Sequence, residues 1–148
     1  MPIHPTAVIY GNHDDIDPSV EIHPYVVIYP NVKLGKDVQV FPFAVLGKPP
    51  TAPYGLLRRH PVTKKGQLIV GSGTIISPHV VLYVGTTIGK DCLIGDSASI
   101  RENVVIGDMC LISRFVSVNS NTRIGNRVKV MDSTHITGDM VIEDDCFV

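Results

Sequence analysis

Along nearly the whole chain, one position in every six is aliphatic. Ile16, Ile22, Ile28, Leu34, Val40 and Leu46 form a first run; Val70, Ile76, Leu82, Ile88, Ile94, Ile100, Ile106, Ile112, Val118, Ile124, Val130, Ile136, Ile142 and Val148 form a second. That spacing matches neither an amphipathic helix nor a plain strand. A fixed period of this kind marks a repeat architecture. Two places before each anchor stands a residue that is mostly small or β-branched, as in Val20, Val26, Val38, Ala44, Thr74, Val80, Cys92, Ala98, Val104, Cys110 and Val116. Side chains two apart point to one side of a strand. The residues between are Gly, Asp, Asn, Ser, Pro and Lys, which favour turns. Three short strands and three turns close a triangular coil of about 18 residues, and coils stack at about 4.8 Å. The predicted fold class is therefore all-β, a parallel β-helix shaped as a three-sided prism, in one domain covering residues 1–148.

Residues 1–15 read as an imperfect first coil. The period fails over 47–67, "GKPPTAPYGLLRRHPVTKKGQ", where the in-phase positions are Ala52, Arg58 and Lys64. This stretch reads as an excursion loop. It carries Lys48, Arg58, Arg59, Lys64 and Lys65 without an acidic residue, so Arg58, Arg59 and Lys64 are candidates for gripping phosphate. The last anchor is Val148 itself, which points to a truncated C-terminal end. A net charge of −1 argues against nucleic acid as a partner. No apolar run is long enough for a membrane span, and "MPIHPTAVIY" lacks the pattern of a signal peptide, so the expected location is cytoplasmic. Cys92, Cys110 and Cys146 all occupy the small inward position and read as free thiols serving the core. Their spacing to histidines does not suit zinc, and no metal is expected.

Reading one coil at a time defines the outer faces. Ile75, Leu93, Leu111, Lys129 and Phe147 form one outward column with Met131 beside it, an apolar stripe that reads as an interface. A second face carries Ser99, Ser117 and His135 next to Arg101, Asn119 and Thr137. The third, with Thr87, Val105, Arg123 and Val141, is mixed. His135, in "MDSTHITGD", is the candidate catalytic base because neutral imidazole accepts a proton near pH 7. Asp132 and Ser133 stand close enough in sequence to orient it. Ser117, Asn119 and Arg101, one or two coils away, and Ser133 itself are candidate contacts to substrate or cofactor. His4, His23 and His79 sit at coil corners and read as structural.

The hexads "IGKDCL", "IGDSAS", "IGDMCL" and "IGNRVK" resemble those of the hexapeptide-repeat acyltransferases. This resemblance implies a left-handed coil, a parallel homotrimer packed through the face of Ile75, Leu93, Leu111 and Phe147, and an acyl thioester as co-substrate. "IHPTAVI" is similar to the opening of sugar acyltransferases in that group. "GNRVKVMDSTHITGDMVIEDDCFV" resembles the nucleotide-sugar N-acetyltransferases, with Asp132 and Ser133 where they carry paired Asn. Less closely, "MDSTHITGD" resembles the lipid A type UDP-N-acetylglucosamine O-acyltransferases: His135 matches the first His of their motif, Asp139 its Asp, and Gly138 stands where they carry the base. The implied function is N-acetylation of a nucleotide-linked amino sugar by acetyl-CoA, for surface polysaccharide biosynthesis. Alternatives are an acyl-carrier-protein-dependent sugar O/N-acyltransferase, or a non-catalytic trimerisation scaffold. A γ-class carbonic anhydrase on this fold would need three histidines from neighbouring coils, and His79 and His135 do not fit that spacing.

Overall fold

A computed structural model describes residues 2–53 and 66–148. Each coil contributes one short strand to each of three parallel sheets, of seven, six and six strands, giving a left-handed parallel β-helix. Neighbouring coils pair in strict register, for example Leu93 with Leu111, Ser99 with Ser117 and Val105 with Arg123. The interior is a column of anchors. Ile88, Ile106 and Ile124 are each 3% exposed or less, so they stack inside the prism instead of facing solvent.

The inward small residues do more than fill space. Thr74 Oγ1 donates to the Gly89 carbonyl at 2.8 Å, and Thr86 Oγ1 to the Arg101 carbonyl at 2.5 Å. Cys92 and Cys110 make the same contact with sulfur, to the carbonyls of Gly107 at 3.1 Å and Gly125 at 3.0 Å. These four small inward side chains thus satisfy corner carbonyls of the next coil. The neighbouring Cys110 sulfur and burial push the Cys92 thiol above its ordinary range. All three cysteines are free thiols.

Most corners place one residue in the left-handed region. Asp91, Ser97, Asn103 and Asn121 fill it with φ of 55° to 61°, and Phe43 and Phe115 do so at 67° and 58°. A bulky side chain there costs about 1–2 kcal/mol. Stacking offsets part of that cost: Tyr25 lies on Phe43 at 5.3 Å, and Phe43 on His79 at 5.1 Å between ring centroids. His23 likewise stacks on Phe41 at 4.5 Å, and His4 Nδ1 lies 2.8 Å from Thr6 Oγ1. The corner histidines thus have structural contacts.

Leu46 pairs with Leu82, 36 positions later, whereas Leu82 pairs with Ile100, 18 later. The excursion therefore inserts one coil's worth of residues, and for that reason the sixfold phase survives it. The strand Val45–Lys48 runs slightly into the predicted loop, and the sheet resumes at Leu68–Val70.

Candidate functional site

The polar face is built where the sheet of Val8, Val27, Val45 and Val81 turns hydrophilic. Its outward column continues as Ser99, Ser117 and His135, paired strand to strand. Ser117 Oγ lies 2.6 Å from His135 Nδ1. Both side chains stand on two-residue strands whose next residues, Val118 and Ile136, are locked in the core. The imidazole is therefore held by a rigid floor and by one hydrogen bond, with Nε2 left to face outward chemistry.

Asp132 points elsewhere. Its carboxylate accepts from the Arg114 guanidinium at 2.6 Å and from the Arg114 backbone N–H at 3.2 Å. That guanidinium holds the Asp132 carboxyl below its ordinary value of 3.8. The corner explains the divergence: Ser133 adopts φ 63°, turning the chain between Asp132 and His135, and its N–H bonds to the Arg114 carbonyl. So of the two residues placed by sequence to orient His135, one is engaged with Arg114 and the other shapes the turn. The contact to the ring comes from Ser117.

Two residues along the chain from Ser117 and His135, at Asn119 and Thr137, begins a cavity of about 380 Å³, lined also by Arg101, Ser120, Asn121, Gly138 and Asp139. Asn119 Nδ2 donates to the Thr137 carbonyl at 3.3 Å. Arg101 is fixed by two bonds to Glu102, at 3.0 and 3.3 Å, and lies 4.6 Å over the Tyr83 ring. The Glu102 carboxylate raises the Arg101 pKa above its ordinary value, so the guanidinium stays charged. Lys48 adds a second cation 4.8 Å from the same ring and donates to the Tyr83 hydroxyl at 3.2 Å. Tyr83 and Glu102 escape the sequence reading, and Lys48 enters it only as a basic residue of the loop, although Tyr83 and Arg101 fall one coil apart and could have been linked by that count. Arg58, Arg59 and Lys64 lie outside the described residues. Among the described residues no group of three His, Cys, Asp or Glu is placed to hold a metal, and no helix is long and apolar enough to cross a membrane.

The family profile described as bacterial transferase hexapeptide (six repeats) matches residues 85–120. The fold is that of the hexapeptide-repeat transferases. The hexapeptide-repeat chain is 30% identical over 107 residues to the acyl-[acyl-carrier-protein]–UDP-N-acetylglucosamine O-acyltransferase of Azorhizobium caulinodans, covering 60% of this chain and 37% of that protein. It superposes on the UDP-N-acetylglucosamine O-acyltransferase of Moraxella catarrhalis with a TM-score of 0.75 at 22% identity, covering 97% of this chain and 63% of that one. A perosamine N-acetyltransferase of Caulobacter crescentus, solved as a histidine-to-asparagine variant with CoA and GDP-perosamine, superposes at 0.67 and 18% identity over 96% of this chain and 53% of that one. The chain thus spans less than two thirds of the length of each of these proteins. Sequence motifs alone rank the N-acetyltransferases ahead of the O-acyltransferases; the sequence match at 30% identity is to an O-acyltransferase.

Proposed function

We propose that this chain is an acyltransferase that moves an acyl group from a thioester to a nucleotide-linked sugar, with His135 as general base. The observation that carries the reading is the 2.6 Å contact between Ser117 and His135 on the polar face of the prism. With Nδ1–H donating to Ser117 Oγ, the Nε2 lone pair is open to a substrate. Nε2 takes the proton from the attacking amine or hydroxyl as the new C–N or C–O bond forms at the thioester carbonyl. The imidazolium then returns that proton to the departing thiolate as the C–S bond breaks. Arg101, Asn119 and the adjoining cavity would hold the sugar nucleotide, Arg101 as a fixed positive charge for phosphate. Ser133 at the same corner, and Arg58, Arg59 and Lys64 in the loop, remain proposed contacts to substrate or donor.

An acetyl-CoA donor and an amino-sugar acceptor are supported by the perosamine N-acetyltransferase, solved with CoA and GDP-perosamine. An acyl-carrier-protein donor and a hydroxyl acceptor form the second reading, favoured by the curated sequence match. The site chemistry is common to both, since the base and the tetrahedral intermediate are the same.

The partner in either case is a further copy of this chain. The apolar column leaves Leu93 41% and Phe147 73% exposed. The corner between the apolar and polar faces carries exposed Tyr25, Phe43 and Phe115 beside the Arg114–Asp132 pair, whereas the corner between the apolar and mixed faces carries Lys90, Asp91, Arg127 and Asp145 with exposed Met109. A threefold axis along the aromatic corner would cover the hydrophobic residues and leave the charged corner in water. It would also set the partner's apolar face across from His135, so the cleft lies between subunits.

The test is thiol release from acetyl-CoA, or from an acyl-carrier-protein thioester, in the presence of a sugar nucleotide. His135→Ala should lower kcat by about 10²-fold or more. Unchanged turnover in that variant would remove His135 from the mechanism.

A further inference from the structure

One corner departs from the regular coil, and the departure leaves a buried hydroxyl without a partner. Thr86 and Thr122 occupy the same inward column two coils apart, and both are fully buried. Thr86 Oγ1 accepts from the Val104 N–H at 3.3 Å and donates to the Arg101 carbonyl. The register-equivalent carbonyl for Thr122 is that of Thr137. It is turned away and accepts from Asn119 Nδ2 instead. Thr122 Oγ1 is the buried side-chain polar atom without a hydrogen-bond partner among the described residues.

Backbone conformation gives the cause. Glu102 and Ser120, equivalent to Gly138 in the two coils below, are not among the positive-φ residues, whereas Gly138 has φ 98°. The Thr137–Gly138 peptide is therefore rotated relative to its counterparts. A Cβ on Gly138 would lie 2.9 Å from the Ser120 carbonyl oxygen and 3.1 Å from Asn119 Cβ, so only glycine sits comfortably in this state. Glycine also adopts the negative φ of the regular coils equally well, and rotating the peptide would bring the Thr137 carbonyl to the waiting Thr122 hydroxyl. In a trans peptide the C=O and N–H point in opposite directions. The rotation that turns the carbonyl inward turns the Gly138 N–H outward, to the cavity that Gly138 lines, and frees the Asn119 amide.

We propose that the Thr137–Gly138 peptide is a two-position switch, with Thr122 as its internal hydrogen-bond partner, and that its second position presents the Gly138 N–H to the carbonyl oxygen of the acyl thioester. The oxygen gains its negative charge as the nucleophile attacks, while the nucleophile's proton goes to His135. The N–H then stabilises that charge without itself being transferred. Gly138 thereby contributes to the site through its backbone, at a position where a side chain would block one of the two states.

The inference rests on the acyl-transfer reading for its purpose, and on the corner geometry alone for the switch, so two variants separate them. Gly138→Ala should select the regular φ. Its crystal structure should show the Thr137 carbonyl within hydrogen-bond distance of Thr122 Oγ1 and no longer on Asn119. An alanine that keeps positive φ, or an ordered water on Thr122 with the peptide unmoved, overturns the switch whether or not the protein transfers acyl groups. Thr122→Val removes the inner partner and should trap the outward carbonyl. Loss of one such donor predicts a fall in kcat of about 10²-fold with KM for the sugar nucleotide little changed, and Thr122→Ser should restore the rate. Thr122→Val that turns over like the unaltered protein overturns the catalytic role. If no thioester is consumed by any form, the acyl-transfer reading fails and the Gly138→Ala structure alone judges the switch.

Discussion

Thr86 and Thr122 make a matched pair for measuring what a buried hydroxyl is worth in this fold. Both are fully buried and share one column, but Thr86 bonds two backbone groups and Thr122 none. Thr86→Val keeps the shape and strands the Arg101 carbonyl and the Val104 N–H. At about 1–3 kcal/mol for each of the two buried groups left without a partner, the loss should be about 2–6 kcal/mol. Thr122→Val strands nothing and removes a hydroxyl that is desolvated without return, so it should stabilise by about 1 kcal/mol. The two variants should differ by about 3–7 kcal/mol despite identical chemistry. Equilibrium urea unfolding followed by far-ultraviolet circular dichroism reads this difference. With m of about 1–3 kcal/mol per molar, the midpoints should separate by at least about 1 M, with m itself unchanged. Equal destabilisation of both variants would refute the reasoning, because it would mean that Thr122 already has its bond in the resting protein.

Three further outcomes follow from the same geometry. Ser117→Ala should lower kcat by about tenfold, less than His135→Ala, because it loosens the ring without removing the base; a thiol-release assay compares them. Ile106→Ala, in the middle of the stacked column, should cost about 2–5 kcal/mol in urea unfolding, since rigid neighbouring coils cannot collapse onto the cavity. The Asp132 and Asp145 carboxyls are held below 3.8 by Arg114 and Arg127, so the stability they give is complete above that pH and is lost as pH falls through their lowered values. Melting temperature followed down to strongly acidic pH should fall less steeply in Asp132→Asn, and an unchanged slope would show that the Arg114 pair does not couple to folding.

Much of this molecule is legible in its primary structure because coil and period coincide. Once six residues make one side, residues 18 apart must be neighbours, and the observed pairs obey that count: Ser117 with His135, Arg114 with Asp132, Arg127 with Asp145, Asn103 with Asn121. The polar face and its histidine are readable for the same reason. Asp132 shows where counting stops. It is three residues from His135 in the chain, but the left-handed turn at Ser133 puts it on the Arg114 side of the corner. The Tyr83 clamp was countable on the Arg101 side only, since Lys48 reaches it through the irregular register beside the inserted coil.

The amino-acid order alone determined the prism, its filled interior and which residues share a column. It did so because burial of aliphatic side chains is nearly independent of fine geometry and needs only the right period. Tertiary structure decided the orientation of each polar group: Ser117 on His135, Arg114 on Asp132, and the rotated peptide before Gly138. Those choices depend on hydrogen bonds a few tenths of an ångström long or short and on single backbone torsions, which no spacing of residues encodes.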